Sequence, residues 1–104
     1  MRKRIVLLTG ASSGIGKEIA RLLARRGDFP VLVARRPEPL RKLTEELGTG
    51  VAHPCDVTDE NSVRALVDEV IKTQGRIDVL INNAGYGIFG GALEIPMSDY
   101  EGMI

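Results

Sequence analysis

The chain has 104 residues, 43% of them hydrophobic, which makes one small domain with enough apolar surface for a core but little to spare. Lysine plus arginine equals aspartate plus glutamate at 14 each, so no excess charge points to nucleic acid or to an anionic membrane as partner. The single cysteine, Cys55, excludes an internal disulfide framework and fits a reducing cytosol, and no apolar run is long enough for a bilayer span or a signal-peptide core. A soluble, cytoplasmic chain is expected.

Strand one is expected over Arg4 to Leu8, an apolar run led in by Arg2-Lys3-Arg4. The stretch Thr9-Gly10-Ala11-Ser12-Ser13-Gly14-Ile15-Gly16 follows and turns into a helix starting near Ser13 or Gly14. Ile15, Ile19, Leu22 and Leu23 fall at i, i+4, i+7 and i+8, which predicts the buried face of that helix, and Gly27 is its expected stop. Strand two, Pro30 to Ala34, is apolar throughout, as a strand covered on both faces should be. Arg35 to Pro39 reads as a turn, and Leu40, Leu43 and Leu47 mark a second helix ended by Gly48-Thr49-Gly50. Strand three spans Val51 to Cys55. Thr58 or Asp59 should then cap a third helix bearing Val63, Leu66, Val67, Val70 and Ile71 and stopped by Gly75. Strand four, Ile77 to Ile81, runs into Asn82-Asn83-Ala84-Gly85, and Ser98 or Asp99 could cap a further helix.

Strands alternating with helices at these lengths predict an α/β fold: a doubly wound parallel sheet of the Rossmann type, about four strands in order 3-2-1-4. Right-handed crossovers favour that order, which places a crevice between strands one and four at the carboxyl ends. Residues 9–16, 35–36, 56–57 and 82–85 all follow strands and so share that edge. A strand that turns through glycines into a helix aims unpaired N–H groups and the positive end of a dipole at one small volume, which suits a phosphate. A Walker A loop does not fit, because Ala11 and Glu18 occupy positions that need Gly and Ser or Thr. The spacing is G-x-x-x-G-x-G, and a ligand-free glycine turn is the plain alternative.

At the end of strand two, a carboxylate would select the ribose hydroxyl of NAD and an arginine the 2′-phosphate of NADP. Arg35 and Arg36 stand there with no carboxylate before Glu38, which favours NADP, with NAD as the alternative. Asp56 could accept from an adenine amino group while Val57 packs on the ring; a turn or capping role is the competing use of that aspartate. Asn82 and Asn83 can bond neighbouring loops, and Ala84-Gly85 permits close approach of a ribose. His53 and Cys55 lie two apart, too few ligands for a zinc site, so both are read as structural and no metal is expected.

T-G-x-x-x-G-x-G at Thr9 to Gly16, D-V at Asp56-Val57 and N-N-A-G at Asn82 to Gly85, in this order and spacing, resemble the short-chain dehydrogenase/reductase family, specifically its single-domain classical branch. The resemblance implies an oxidoreductase that moves hydride between NADP(H) and a carbonyl or alcohol. It also implies site roles by position. Gly10, Ala11, Ser12, Ser13, Gly14, Ile15 and Gly16 would wrap the cofactor phosphates, and Arg35 and Arg36 would meet the 2′-phosphate. Asp56 and Val57 would frame adenine; Asn83, Ala84 and Gly85 would lie along the ribose, with Asn82 bracing the sheet.

The family's catalytic serine, its Tyr-x-x-x-Lys pair and its helical asparagine have no counterpart here: Tyr86 is followed four residues on by Gly90, and Tyr100 by Ile104. Residues 1–104 are therefore read as an incomplete NADP-binding domain, the N-terminal half of a longer enzyme, with no catalytic residues and no turnover of its own. A non-catalytic nucleotide-binding or sensing module is the alternative. Strand four would become an exposed edge through which the chain could self-associate.

Overall fold

The computed structural model describes residues 3–83. Their order is β1 (Ile5–Thr9), α1 (Gly14–Arg25), β2 (Phe29–Ala34), α2 (Pro37–Leu47), β3 (Val51–Pro54), α3 (Glu60–Gln74) and β4 (Val79–Asn82). The strands form one four-stranded sheet in the order β3-β2-β1-β4, parallel at every pairing. This is the expected doubly wound arrangement, the order that right-handed crossovers favour.

The two central strands, β1 and β2, bury both faces, whereas β3 at the sheet edge is only partly buried. Ile5 and Leu7 of β1 join Val31, Val33 and Leu80 under α3, where Val63, Leu66, Val67 and Val70 cover them. Val6 and Leu8 face the other way, with Leu32 and Val79, under Ala20 and Leu23 of α1 and Leu40 and Leu43 of α2. A two-sided burial of this kind is why the strands read as continuous apolar runs without alternation.

Several boundaries differ from expectation. Arg35 to Pro39 is not all turn, because α2 already begins at Pro37, in the first helical turn where a missing N–H costs nothing. β2 starts one residue early at Phe29, paired with Ile5, and β1 runs to Thr9. β3 ends at Pro54, although the Cys55 amide still donates to Ala34 O at 2.8 Å. β4 begins at Val79, and Ile77 is buried in the connection before it. Asp59, not Thr58, caps α3, its Oδ1 accepting from the Asn61 amide at 3.0 Å.

The largest correction concerns α1. Ile15 is 70% and Leu22 48% exposed, while Gly16, Ala20 and Leu23 are the buried residues. Ile19 is only partly buried against the core. Leu23 is buried as expected, but over the first turns the inward positions are Gly16 and Ala20, one residue on from Ile15 and Ile19, for a reason that lies at Gly16. A Cβ there would stand 2.1 Å from Gly10 O and 2.9 Å from Ala11 Cα. The helix presses its smallest side chains onto the β1 turn, and larger ones are left outside.

At the amino ends of the strands, charged side chains tie the sheet together. Arg4 donates to both carboxylate oxygens of the buried Asp28, at 3.1 and 3.0 Å. The Ile5 amide donates to Asp78 Oδ2 at 2.7 Å, and Arg76 Nε donates to the same carboxylate at 2.8 and 2.9 Å.

Candidate functional site

The β1–α1 connection is held by a compact set of bonds. Gly10 has φ of 64°, a left-handed conformation that a side chain would strain, and this turns the chain out of the sheet. The Ala11 amide donates to Val33 O at 3.1 Å, which anchors the turn to β2 and places the Ala11 side chain in the core. Ser13 is the N-cap of α1: its hydroxyl accepts from the Gly16 amide at 2.9 Å and donates to Gly10 O at 2.9 Å.

Asn83 closes the set from the end of β4. Its Nδ2 donates to Gly10 O and to Ser13 Oγ, both at 3.1 Å. Asn82 accepts from the Thr9 hydroxyl at 2.9 Å and so braces β1 against β4. The two asparagines do separate jobs, one on the sheet and one on the loop.

What the turn leaves open is the backbone. The amides of Ala11, Ser13 and Gly16 are bonded within the protein, whereas those of Ser12, Gly14 and Ile15 have no hydrogen-bond partner among the described residues. Gly14 adds a second clue. Its φ is not positive, and an added Cβ would meet nothing within 4 Å, so no contact among the described residues requires it to be glycine. Bare backbone with free N–H groups at a helix start suits a ligand phosphate that must come close.

Beside this turn, the carboxyl ends of β1, β2 and β3 enclose a hollow of about 380 Å³. Gly10 and Ser12 form one wall, Ala34, Arg35 and Arg36 the second, and Cys55, Asp56 and Val57 the third. Arg35 and Arg36 are exposed and make no ion pair or hydrogen bond among the described residues. Asp56 Oδ1 accepts from the Thr58 amide at 2.9 Å and from its hydroxyl at 2.6 Å. These bonds, with a smaller contribution from Arg35, hold the Asp56 carboxyl below its ordinary range. The turn-forming use of Asp56 is thus real, and Oδ2 is left without a partner among the described residues. Val57 is packed partly against the α3-side core, which fixes the floor of the hollow.

Burial, and then the charges of Asp56 and Asp59, push the Cys55 thiol up, away from a reactive thiolate. No group of His, Cys, Asp or Glu able to hold a metal ion occurs among the described residues, and none of their helices is long and apolar enough to cross a membrane. The structure brings Gly10 to Gly16, Arg35, Arg36, Asp56, Val57 and Asn83 to one edge. Ala84 and Gly85, together with the residues considered for a further helix, lie outside the described residues. Asn83 was expected to bond a neighbouring loop and does, but Ser13 as its partner, 70 residues away, carried no local signal.

Comparison with known proteins gives a consistent picture. A family model described as short chain dehydrogenase matches residues 4–104. The chain is 44% identical over 103 residues to a 3-ketodihydrosphingosine reductase of Bacteroides thetaiotaomicron, covering 99% of this chain and 36% of that protein. It is 42% identical over 108 residues to the uncharacterized oxidoreductase YxjF of Bacillus subtilis, covering all of this chain and 42% of that one. Among solved structures, a metagenomic short-chain oxidoreductase in complex with NADP superposes with a TM-score of 0.75 at 42% identity, over 85% of this chain and 42% of the other. An actinorhodin polyketide ketoreductase variant with NADPH also gives a TM-score of 0.75 at 42% identity, over 81% and 34%. The chain thus spans well under half the length of each of these proteins.

Proposed function

We infer that this chain, which belongs to the short-chain dehydrogenase family, is the adenosine-side cofactor-binding part of an oxidoreductase that uses NADP(H). The observation that carries the reading is the hollow at the ends of β1, β2 and β3, where Arg35 and Arg36 make no ion pair among the described residues and stand beside the free amides of the glycine turn. A guanidinium matches a phosphate with two parallel hydrogen bonds, and the second strand's end is where a 2′-phosphate would arrive. Two solved relatives carry NADP or NADPH, which supports the same choice over NAD.

Each residue then has a stated task. The amides of Ser12, Gly14 and Ile15 donate to the pyrophosphate, helped by the positive end of α1. Gly10, Ala11, Ser13 and Gly16 shape the turn that presents them. Arg35 and Arg36 clamp the 2′-phosphate, and Asp56 Oδ2 and Val57 take the adenine. Asn83 borders the ribose and keeps the glycine turn closed, and Ala84 and Gly85 take the ribose role that the family resemblance gives them. When bound, the dinucleotide supplies or accepts the hydride; the groups that would move the substrate's proton belong to the part of its relatives that this chain does not cover. A carbonyl or alcohol is the substrate class this implies.

The test is titration of the chain with NADP and NAD before and after Arg35→Ala/Arg36→Ala. Losing charge-assisted bonds of about 1.5–3 kcal/mol should weaken NADP by roughly 10- to 100-fold and leave NAD within about 2-fold. Equal losses for both cofactors would refute the 2′-phosphate assignment.

A further inference from the structure

A second depression lies next to the nucleotide hollow, between α1 and α2, with a volume of about 590 Å³. Leu43 forms its floor. Lys17 and Arg21, one helical turn apart, line the α1 wall; Lys42 and Glu46, also one turn apart, line the α2 wall. Arg36 lines both the groove and the nucleotide hollow and so stands between the two.

The charges in this groove are not balanced among themselves. Arg21 is committed: Nε and Nη2 donate to Glu46 at 2.6 and 3.2 Å, and Nη1 donates to Glu18 at 2.6 Å. Glu38, the other carboxylate of the lining, accepts from Arg41 at 2.6 and 2.7 Å. Each acidic group of the lining therefore has an arginine partner, although Arg21 shares its single charge between Glu46 and Glu18. The side chains of Lys17, Arg36 and Lys42 make no ion pair or hydrogen bond among the described residues. Glu46 remains close enough to Lys17 for the two to attract, but its carboxylate oxygens are bonded to Arg21. The N-terminus of α2, at Arg36 and Pro37, adds the positive end of a helix dipole at the same place.

A lysine on a helix face is usually only solvated. Here two of them, from different helices, converge on the groove whose lining shares Arg36 with the nucleotide hollow. We propose that Lys17 and Lys42 are specificity-determining residues that act through their field on a phosphate held at Arg36, so that the α1–α2 groove favours 2′-phosphorylated over unphosphorylated adenosine nucleotides. This rests on the NADP reading above. It adds that discrimination is shared with the two helices, and that part of it is long-ranged and therefore sensitive to salt.

The experiment uses the whole chain and two small probes, adenosine 2′,5′-bisphosphate and adenosine 5′-monophosphate. Lys17→Met and Lys42→Met keep the apolar stems and remove only charge. Each should lower the bisphosphate-to-monophosphate affinity ratio by about 3-fold and the pair by about 10-fold at low ionic strength, as expected for single charges several ångströms from a phosphate near a surface. The monophosphate affinity should stay the same, Lys17→Arg/Lys42→Arg should restore the ratio, and added salt should shrink the gap between wild type and the Met pair. An unchanged ratio in the Met pair, with a wild-type chain that prefers the bisphosphate, overturns this proposal and leaves the NADP reading intact. Equal losses for both probes also overturn it. A wild-type ratio near one overturns the NADP reading itself, and the groove's role with it.

Discussion

At the amino edge of the sheet, Arg4, Asp28, Arg76 and Asp78 bond one another and the backbone of Lys3 and Ile5. At the carboxyl edge, the amides of Ser12, Gly14 and Ile15 and the side chains of Arg35 and Arg36 bond nothing among the described residues. Both edges are rich in polar groups, yet one consumes its hydrogen-bonding capacity internally and the other holds it in reserve. The unpaired amides are those every helix start leaves over, and here they lie beside two unpaired arginine side chains at the edge where open α/β sheets bind ligands, which is what the cofactor reading proposed above uses. The amino edge, by contrast, contributes to stability.

The sharpest way to break this division is at Gly16, which belongs to the carboxyl edge but is fully committed to structure. Gly16→Ala would force a methyl to 2.1 Å from Gly10 O, a backbone atom that cannot swing aside. The expected cost is on the order of 3 kcal/mol in urea unfolding, as for other overpacked contacts. A loss under about 0.5 kcal/mol would mean that the α1–β1 approach is looser than described.

Asp78→Ala tests the amino edge alone. It removes the acceptor of the Ile5 amide and the partner of Arg76, and should destabilise by about 2 kcal/mol. The NADP-to-NAD affinity ratio of the chain that remains folded should not change. A shift in that ratio would show that the two edges are coupled.

The smallest expected effect on stability comes from Gly14→Ala, and it separates the two edges most cleanly. No heavy atom within 4 Å opposes the new methyl, and the backbone there is ordinary helix. Removing unfolded-state freedom should raise stability by about 0.5 kcal/mol. Dinucleotide affinity should fall by about 10-fold, because the methyl would stand where the pyrophosphate must approach the backbone. Undiminished affinity in this variant would remove Gly14 from the phosphate site.

Much of the fold was legible in advance because it depends on short-range signals. Apolar runs of four to six residues bounded by Gly75, Gly48 and Gly27 separate strands from helices, and Gly48 and Gly75 do close α2 and α3 in the left-handed conformation. The strand order followed from chain handedness, without side-chain detail. The face of α1 was legible only in part. Leu23 was expected to be buried and is, but Ile15 and Ile19 have the same spacing as Gly16 and Ala20, and hydropathy selects the larger residues. The sheet selected the smaller ones, since only they allow the helix to lie against the Gly10 turn.

For the candidate site, residue types alone singled out the turn at Thr9 to Gly16, the arginine pair and Asp56, which the fold brings to one edge. Which amides remain free, which serine caps the helix, and how Asn83 locks the turn from the far end of the described chain depend on distances between segments remote in sequence. So does the meeting of Lys17 and Lys42 in one groove, because each belongs to a separate helix and only packing on a common sheet face aligns them. Local composition specifies what a loop is able to hold; the parallel sheet, by bringing successive loops to one edge, decides which of them hold it together.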